Sequence, residues 1–277
     1  MSTAQTILVF NSTGQQGHAT VQALSDLGKF KILAVTRDPS SESAKNLVNI
    51  PHVHVVKGEV GVHEHFFDQP IHGVFFVQMG FDIEAALKDI KSLLDISEKK
   101  GVRHVVFSGT DQCGHRDIGI GHPFLDAKKD VEDLLQGRKF DWTVLRPVGF
   151  MENFYKAPYK AQVTTTWLQS NHYKMISVVD IGRIAARVFA QPTEWTGKAL
   201  NVAGDSLTPG EIVEVWKEVT GELLDDKEPP QFPPGFDSAM AFFTKNEFEA
   251  SVEWTEQNFP GVMDLKTWLK SSNFAKA

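Results

Sequence analysis

A short segment near the start of the chain carries the residues best suited to hold a phosphorylated ligand. Residues 7–10 (ILVF) form an apolar run typical of a buried strand, and residues 11–17 (NSTGQQG) follow it with two glycines before a helical pattern begins. Unpaired N–H groups and the positive dipole end at a helix N-terminus attract a pyrophosphate. Glycine allows unusual dihedral angles in the turn and a close approach of phosphates to the backbone. The segment therefore predicts a dinucleotide site made of a strand, a turn and a helix start.

The spacing of this segment departs from the full glycine fingerprint. A first glycine is expected at position 11, and Asn11 stands there, so that only Gly14 and Gly17 of the three remain. Taken alone, the segment leaves open a second interpretation, which is an ordinary glycine-containing turn between a strand and a helix.

Arg37 is the candidate for recognising the cofactor phosphate. It directly follows a second apolar run at 30–36 and lies 20 residues beyond Gly17. At this place in a dinucleotide fold an acidic residue binds the ribose 2′-hydroxyl, whereas a guanidinium can pair with a 2′-phosphate. Asp38 follows, but Pro39 after it favours an extended or turn conformation that can direct Asp38 elsewhere. We interpret Arg37 as selecting NADP(H) over NAD(H), and the alternative is a solvated surface arginine.

An alternation of strands and helices must position these residues. Apolar runs predict the strands and helical spacing predicts the helices between them. The predicted strands are 7–10, 30–36, 53–56, 73–78, 104–107 and 141–145, and the predicted helices are 18–28, 40–47, 62–68, 82–100 and 124–136. This order predicts an α/β fold with a doubly wound parallel sheet and right-handed crossovers, whose strand-to-helix loops meet at one ligand-binding edge.

The chain after residue 170 continues with mixed elements. A strand at 174–179 is predicted, and Asp180 is predicted to be the N-cap of a helix that runs to about 190. A strand at 199–202 and a helix at 208–219 follow, the helix with Thr208 and Glu211 in capping-box positions.

Composition excludes several classes of function. The net charge of −7 over 277 residues argues against a nucleic-acid binder, which needs clustered Lys and Arg. Cys113 is the single cysteine, which excludes an intramolecular disulfide and fits a reducing compartment. No signal-peptide pattern and no membrane-length apolar stretch is present, and the scattered histidines predict no metal site. The expectation is a cytoplasmic protein, also compatible with the nucleus, without a membrane partner.

Six segments in a fixed order resemble the NmrA-like family, atypical relatives of the short-chain dehydrogenase/reductases. They are NSTGQQG (11–17), TRDP (36–39), KGEV (57–60), LDAKKDVEDLL (125–135), LRPVGFMENF (145–154) and LTPGEIVEVWKEVTG (207–221). An N-x-T-G start occurs in the family, so Asn11 fits the resemblance. It implies a Rossmann-type NADP(H)-binding domain, placed at 1–155, and a smaller mixed α/β C-terminal lobe at 156–277. The lobe would form the substrate or partner cleft, with some of its segments returning to the main sheet.

The resemblance also implies roles for individual residues. The first turn would face the pyrophosphate, Arg37 the 2′-phosphate, and Glu59 with Val60 the adenine. Further positions would lie along the nicotinamide half of the cofactor, with Lys128 bonding its ribose. The cofactor-binding residues predicted in this way are Asn11, Thr13, Gly14, Gln15, Gln16, Gly17, Arg37, Glu59, Val60, Gln78, Met79, Ser108, Lys128, Pro147, Gly149 and Asn153.

The catalytic chemistry depends on the residue four positions before Lys128. A short-chain dehydrogenase presents Tyr-x-x-x-Lys, in which the lysine lowers the tyrosine pKa so that the phenol can protonate the substrate. Here Phe124 occupies the tyrosine position and has no proton to give. Lys128 itself, Tyr155 or His122 are the candidate catalytic residues in its place, with Ser108 as a further possibility.

Two functions follow, and the resemblance covers both. The preferred one is an NADPH-dependent reductase of a small carbonyl, enone or quinone compound. The alternative is a non-catalytic NADP(H) redox sensor, a transcriptional-type regulator whose occupancy biases a conformation recognised by a regulated protein. The partner would accordingly be a small-molecule substrate or a protein, and the chain a monomer or a homodimer.

Overall fold

The computed structural model describes residues 4–61, 64–78, 80, 82–155, 172–224 and 236–271. These residues fall into two compact units of interleaved segments. The first unit lies within 1–109, 127–146 and 181–200, and the second within 110–126, 147–180 and 201–277. The predicted division of the chain at residue 155 stays a prediction.

The strands of the described residues form two sheets. They are β1 (Gln5–Val9), β2 (Phe30–Thr36), β3 (Val53–Lys57), β4 (Gly73–Val77), β5 (His104–Ser108), β6 (Asp141–Pro147), β7 (Gly149–Phe150), β8 (Tyr173–Ile176), β9 (Lys198–Val202) and β10 (Asp205–Leu207). Seven of them make one sheet in the order β3-β2-β1-β4-β5-β6-β9, and the pairs from β3 to β6 are parallel. This is the strand order of the Rossmann fold, which confirms the predicted doubly wound sheet.

The central strands of the large sheet are buried on both faces because helices cover it. All five residues of β4 and all five of β5 are buried, which explains why these strands appear in the sequence as continuous apolar runs. Phe76 and Phe107 stack with ring centroids 5.0 Å apart. They belong to one core cluster of the first unit, together with Leu8, Leu33 and Leu94.

The helices lie close to where the sequence predicted them. Ten helices are described: α1 (Gln15–Asp26), α2 (Glu42–Val48), α3 (Ile83–Lys99), α4 (Pro123–Leu135), α5 (Val178–Ala190), α6 (Pro192–Trp195), α7 (Pro209–Thr220), α8 (Phe236–Lys245), α9 (Val252–Asn258) and α10 (Leu265–Ser271). The segment predicted as a helix at 62–68 is a short 3-10 helix at Glu64–Asp68. In this described part of the chain, no helix has the length and apolar character needed to cross a membrane.

The second unit holds a small mixed sheet in the order β10-β8-β7. β8 pairs parallel to β7 and antiparallel to β10. The predicted capping box is present at α7, where the Thr208 hydroxyl accepts from the Glu211 N–H and the Glu211 carboxylate accepts from the Thr208 N–H. Gly221 ends the helix in the left-handed conformation.

The predicted N-cap role of Asp180 is wrong. The strand ends at Ile176 and the helix begins at Val178, so that Asp180 lies inside the first helical turn. Its carboxylate is buried and accepts a hydrogen bond from the N–H of Met263 at 2.8 Å. A long-range contact, and not a local cap, therefore accounts for this aspartate.

Two other buried carboxylates tie distant segments of the second unit together. Glu152 accepts hydrogen bonds from the Ser177 hydroxyl, the Val178 N–H and the Trp268 indole at 2.9 to 3.1 Å. Asp111 accepts from the N–H groups of Cys113 and Ala250, each at 2.8 Å, although burial raises its pKa. Both residues were missed in the sequence because most of their partners are far away in the chain.

Candidate functional site

The turn after β1 owes its shape to Asn11 and two glycines. Asn11 has φ of 52°, in the left-handed region that a glycine adopts freely and that asparagine tolerates best among other residues. Its carbonyl accepts a hydrogen bond from the N–H of Gly14 at 2.9 Å, which closes the turn. Asparagine at the first fingerprint position thus provides the conformation for which glycine is usually required.

Gly17 is required by a close approach of backbone to backbone. A Cβ at this position would collide with the carbonyl group of Asn11, which cannot move without opening the turn. A Cβ on Gly14 would meet only the end of the Asn11 side chain, which can rotate away. The two glycines therefore have different functions in the turn.

Helix α1 begins at Gln15 with its first N–H groups open to a ligand. Its N-cap is Gly14, no side chain caps it, and the first turn contains no acidic residue. The helix is 12 residues long, so that its dipole leaves partial positive charge at this end. The combination is suited to an anionic group such as a pyrophosphate.

A pocket of about 490 Å³ in the first unit lies next to this turn. Its walls come from the turn after β1, the loop after β2, the loop after β3 and the first half of α3. Five of the predicted cofactor-binding residues line it, and these are Asn11, Thr13, Arg37, Glu59 and Val60. The structure thus brings together residues that are up to 49 positions apart in the sequence.

Arg37 is exposed at this pocket, and Asp38, which also lines the pocket, has its carboxylate engaged by Ser40. The Asp38 carboxylate accepts hydrogen bonds from the N–H and hydroxyl of Ser40, at 2.9 and 2.5 Å, and these bonds hold its pKa below the usual value. The hydroxyl residues Ser41 and Ser43 line the pocket beside them. A guanidinium flanked by hydroxyl groups is suited to a phosphate monoester.

Gln78 stands at the end of β4 and is only 2% exposed. Within the described part of the chain neither its amide oxygen nor its amide nitrogen has a hydrogen-bond partner. Leaving such buried groups unpaired costs free energy, so that a bound ligand that supplied partners would be favoured. The neighbouring strand in the sheet is β5. At its end, the Ser108 hydroxyl donates a hydrogen bond to the Gln16 amide oxygen at 2.6 Å.

Lys128 lies on α4, and its ammonium is 6.0 Å from the centroid of the Phe107 ring. Burial lowers the pKa of Lys128 to about 8, and the Glu132 carboxylate opposes this shift only in part. Glu132 is itself held by Arg146, whose guanidinium donates two hydrogen bonds to it at 2.9 and 2.5 Å. At neutral pH, Lys128 is therefore protonated but within about one pH unit of losing its proton.

The remaining predicted residues are placed as follows. His122, Pro147, Gly149, Asn153 and Tyr155 belong to the second unit, and their roles in binding or catalysis stay predictions. Tyr155 is 53% exposed and makes an edge contact with Trp268, with ring centroids 5.5 Å apart. His122 is buried directly before α4.

Met79 lies outside the described residues, so the prediction for it has no structural counterpart. Among the described residues no group of His, Cys, Asp and Glu side chains is arranged to hold a metal ion.

The pocket also has lining residues that were not predicted as cofactor-binding, among them the polar residues Ser41, Ser43 and Asp89. Ser41 is the N-cap of α2, and its position before an acidic first turn is a signal for a helix start and not for a ligand. Asp89 is an ordinary polar residue of an amphipathic helix, so only the fold reveals that it faces the pocket.

The sheet order, the turn and the adjoining pocket define the Rossmann class of α/β proteins. The sequence matches the model of the NmrA-like family over residues 3–260, and the chain belongs to this family. It is 24% identical over 268 residues to an NmrA-like family domain-containing protein of Dictyostelium discoideum, covering 86% of this chain and 87% of that one. It is also 24% identical to the NmrA-like family domain-containing oxidoreductase himF of Aspergillus japonicus, over 79% and 74% of the two chains.

Solved structures share the fold. NmrA, a negative transcriptional regulator crystallised with NADP, has a TM-score of 0.74 at 14% identity, covering 97% of this chain and 95% of that one. The triphenylmethane reductase of Citrobacter sp., crystallised with NADP(H), has a TM-score of 0.74 at 18% identity, covering 96% and 99%. A regulator and a reductase thus share this fold.

Proposed function

We propose that this chain is an NADP(H)-dependent oxidoreductase that reduces a small carbonyl, enone or quinone compound. The observation that carries the proposal is Lys128, a buried amine with a pKa of about 8 in the same unit as the pocket. A proton donor works best with a pKa near neutral pH, whereas a lysine with a purely structural function does not require one.

The residues present fit the proposed cofactor. The uncapped N-terminus of α1 would hold the pyrophosphate, and Arg37 with Ser43 would hold the 2′-phosphate. The buried Gln78 amide would gain the partners that it lacks among the described residues. The NADP bound by NmrA and the NADP(H) bound by the triphenylmethane reductase support the same cofactor class for this chain.

In this proposal NADPH, when bound, supplies the hydride. Reduction of a carbonyl also takes up one proton at oxygen, and the Lys128 ammonium would donate it in place of the absent tyrosine. Donation leaves a neutral amine in a buried site, which burial favours and which explains how lysine can serve without a phenol. The activity should therefore fall as pH rises through about 8, because Lys128 loses its proton there.

The first experiment measures NADPH consumption with a panel of quinones, enones and small aldehydes. Lys128→Met should abolish turnover and weaken NADPH binding by about 10-fold, because Lys128 is also expected to bond the nicotinamide ribose. Lys129→Met is the matched control, because Lys129 lies next in the same helix and pairs with Asp133 near the surface. Equal turnover in wild type and Lys128→Met would refute the catalytic role.

A second experiment tests the cofactor by calorimetry. Arg37→Met should weaken NADPH binding by about 10- to 100-fold, the value of a charge-assisted hydrogen bond, and leave NADH binding unchanged. Arg103→Met, at an exposed arginine outside the pocket, is the control. An affinity for NADPH that survives Arg37→Met would remove the assignment of the 2′-phosphate to this residue.

Phe124 favours a second candidate function. Without the tyrosine, the chain would bind NADP(H) as a non-catalytic sensor whose state is recognised by a partner protein. Tight NADPH binding, no turnover across the panel, and a protease-cleavage pattern that changes with NADPH would support this function over the reductase.

A further inference from the structure

We infer that Asp89 selects the base of the bound dinucleotide, by accepting a hydrogen bond from an exocyclic amine such as that of adenine. The inference rests on the proposed function, because it assigns one end of the proposed cofactor to this part of the pocket. It adds a specificity-determining residue on α3 to those on the turn and loops.

Asp89 shares its part of the pocket with apolar side chains. Val60 from the loop after β3 and Ala86 with Ile90 from α3 line the same space. Apolar walls of this kind suit the faces of a flat aromatic ring and leave its edge to be read by polar groups. Arg37 directly follows the neighbouring strand β2 and lines the same pocket. The 2′-phosphate on the adenosine half of the cofactor is proposed to bind at Arg37.

Gly61 provides the room that the Asp89 carboxylate needs. A Cβ built on Gly61 would lie 2.5 Å from the Asp89 Oδ2 atom. Because glycine has no Cβ, the carboxylate can lie directly against the backbone of the loop after β3. Gly61 has no left-handed φ, so that its place in the pocket is explained by this close approach and not by backbone conformation.

The Asp89 carboxylate is available to a ligand. Within the described part of the chain it takes no part in a hydrogen bond or an ion pair, although it is only partly exposed. An ionised carboxylate only accepts hydrogen bonds. A base edge that carries an amine is attracted to it, and one that carries a carbonyl oxygen at the same position is repelled.

The test compares NADPH with its deaminated analogue, which has hypoxanthine in place of adenine and hence a carbonyl in place of the amine. Wild-type protein should bind NADPH at least about 10-fold more tightly than the analogue, as expected for a hydrogen bond to a charged group. Asp89→Asn can both accept and donate, so it should reduce this preference to less than about 3-fold. Gly61→Ala should reduce it as well, since the new methyl group displaces the carboxylate without changing the charge.

The control is Glu84→Gln, which removes the same charge from an exposed position of the same helix outside the pocket. It should keep the wild-type preference, because a general effect of charge on an anionic cofactor alters both affinities alike. Equal affinity of the wild type for the two dinucleotides, or tighter binding of the analogue, would overturn the inference. Failure of both to bind would instead refute the proposed function, and the two failures are thus distinguishable.

Discussion

Replacing Lys128 with methionine should make the unliganded protein more stable at neutral pH. Burial lowers the pKa of Lys128 from 10.5 to about 8, a difference of about 2.5. At about 1.4 kcal/mol for each pKa unit, holding the ammonium in the folded protein costs about 3 kcal/mol. Methionine fills a similar space without a charge, and Glu132 keeps its partner Arg146.

The stability advantage of Lys128→Met should decrease as the pH rises. Below pH 8 the lysine is protonated in both the folded and the unfolded protein, so that the full cost is present. Between pH 8 and 10.5 the folded protein releases the proton and the unfolded chain keeps it, and the cost declines. The advantage of Lys128→Met should thus shrink from about 3 kcal/mol at pH 7 to roughly half of that at pH 9.5.

Urea unfolding of the two proteins at pH 7 and pH 9.5 measures this difference directly. Lys129→Met, which removes a lysine near the surface, should change the free energy of unfolding by less than about 1 kcal/mol at either pH. A Lys128→Met variant that is no more stable than wild type at pH 7, or whose advantage is independent of pH, would contradict the cost assigned to the buried ammonium.

Three further outcomes are expected. Gly17→Ala should unfold or strongly destabilise the first turn, whereas Gly14→Ala should cost less than about 1 kcal/mol in thermal unfolding, since only a side chain must move. Burial lowers the pKa of His104 to about 4, so stability should fall as pH drops from 6.5 towards 4, and His104→Gln should flatten this loss in acid titrations. Glu152→Ala should cost about 3 kcal/mol or more in urea unfolding, and Glu152→Gln less, because the amide oxygen still accepts from an N–H group.

The parallel sheet could be predicted because its central strands are buried on both faces. Burial on two faces produces apolar runs such as 73–77 and 104–107, and these differ clearly from the helical spacing between them. The capping box at Thr208 was equally clear, because both of its hydrogen bonds join residues three positions apart. Patterns of this kind involve residues that are close together in the chain, and they can therefore be recognised from the sequence.

The site was predictable only in part, for the same reason. Asn11, Arg37 and Glu59 follow strands at a common sheet edge, and the topology alone brings them to one pocket. Asp89 and Gly61 meet across 28 positions, and Asp180 reaches Met263 across 83. Helical periodicity identifies Asp89 only as a polar residue of its helix, and the position of Asp180 after an apolar run is typical of a helix cap. Neither the contact of Asp89 with Gly61 nor that of Asp180 with Met263 can therefore be inferred from sequence spacing.

The proton chemistry proposed for Lys128 depends on a residue that does not touch a ligand. Glu132 lies one helical turn after Lys128, where a free carboxylate would stabilise the ammonium and hold its pKa high. Arg146 takes both oxygens of that carboxylate, at 2.9 and 2.5 Å, and adds a positive charge of its own. Burial is the larger of the two causes that act on the lysine pKa and lowers it, while the Glu132 carboxylate raises it. With its carboxylate bound by Arg146, Glu132 opposes the effect of burial only in part, and the lysine pKa stays below its usual value, as a proton donor at neutral pH requires.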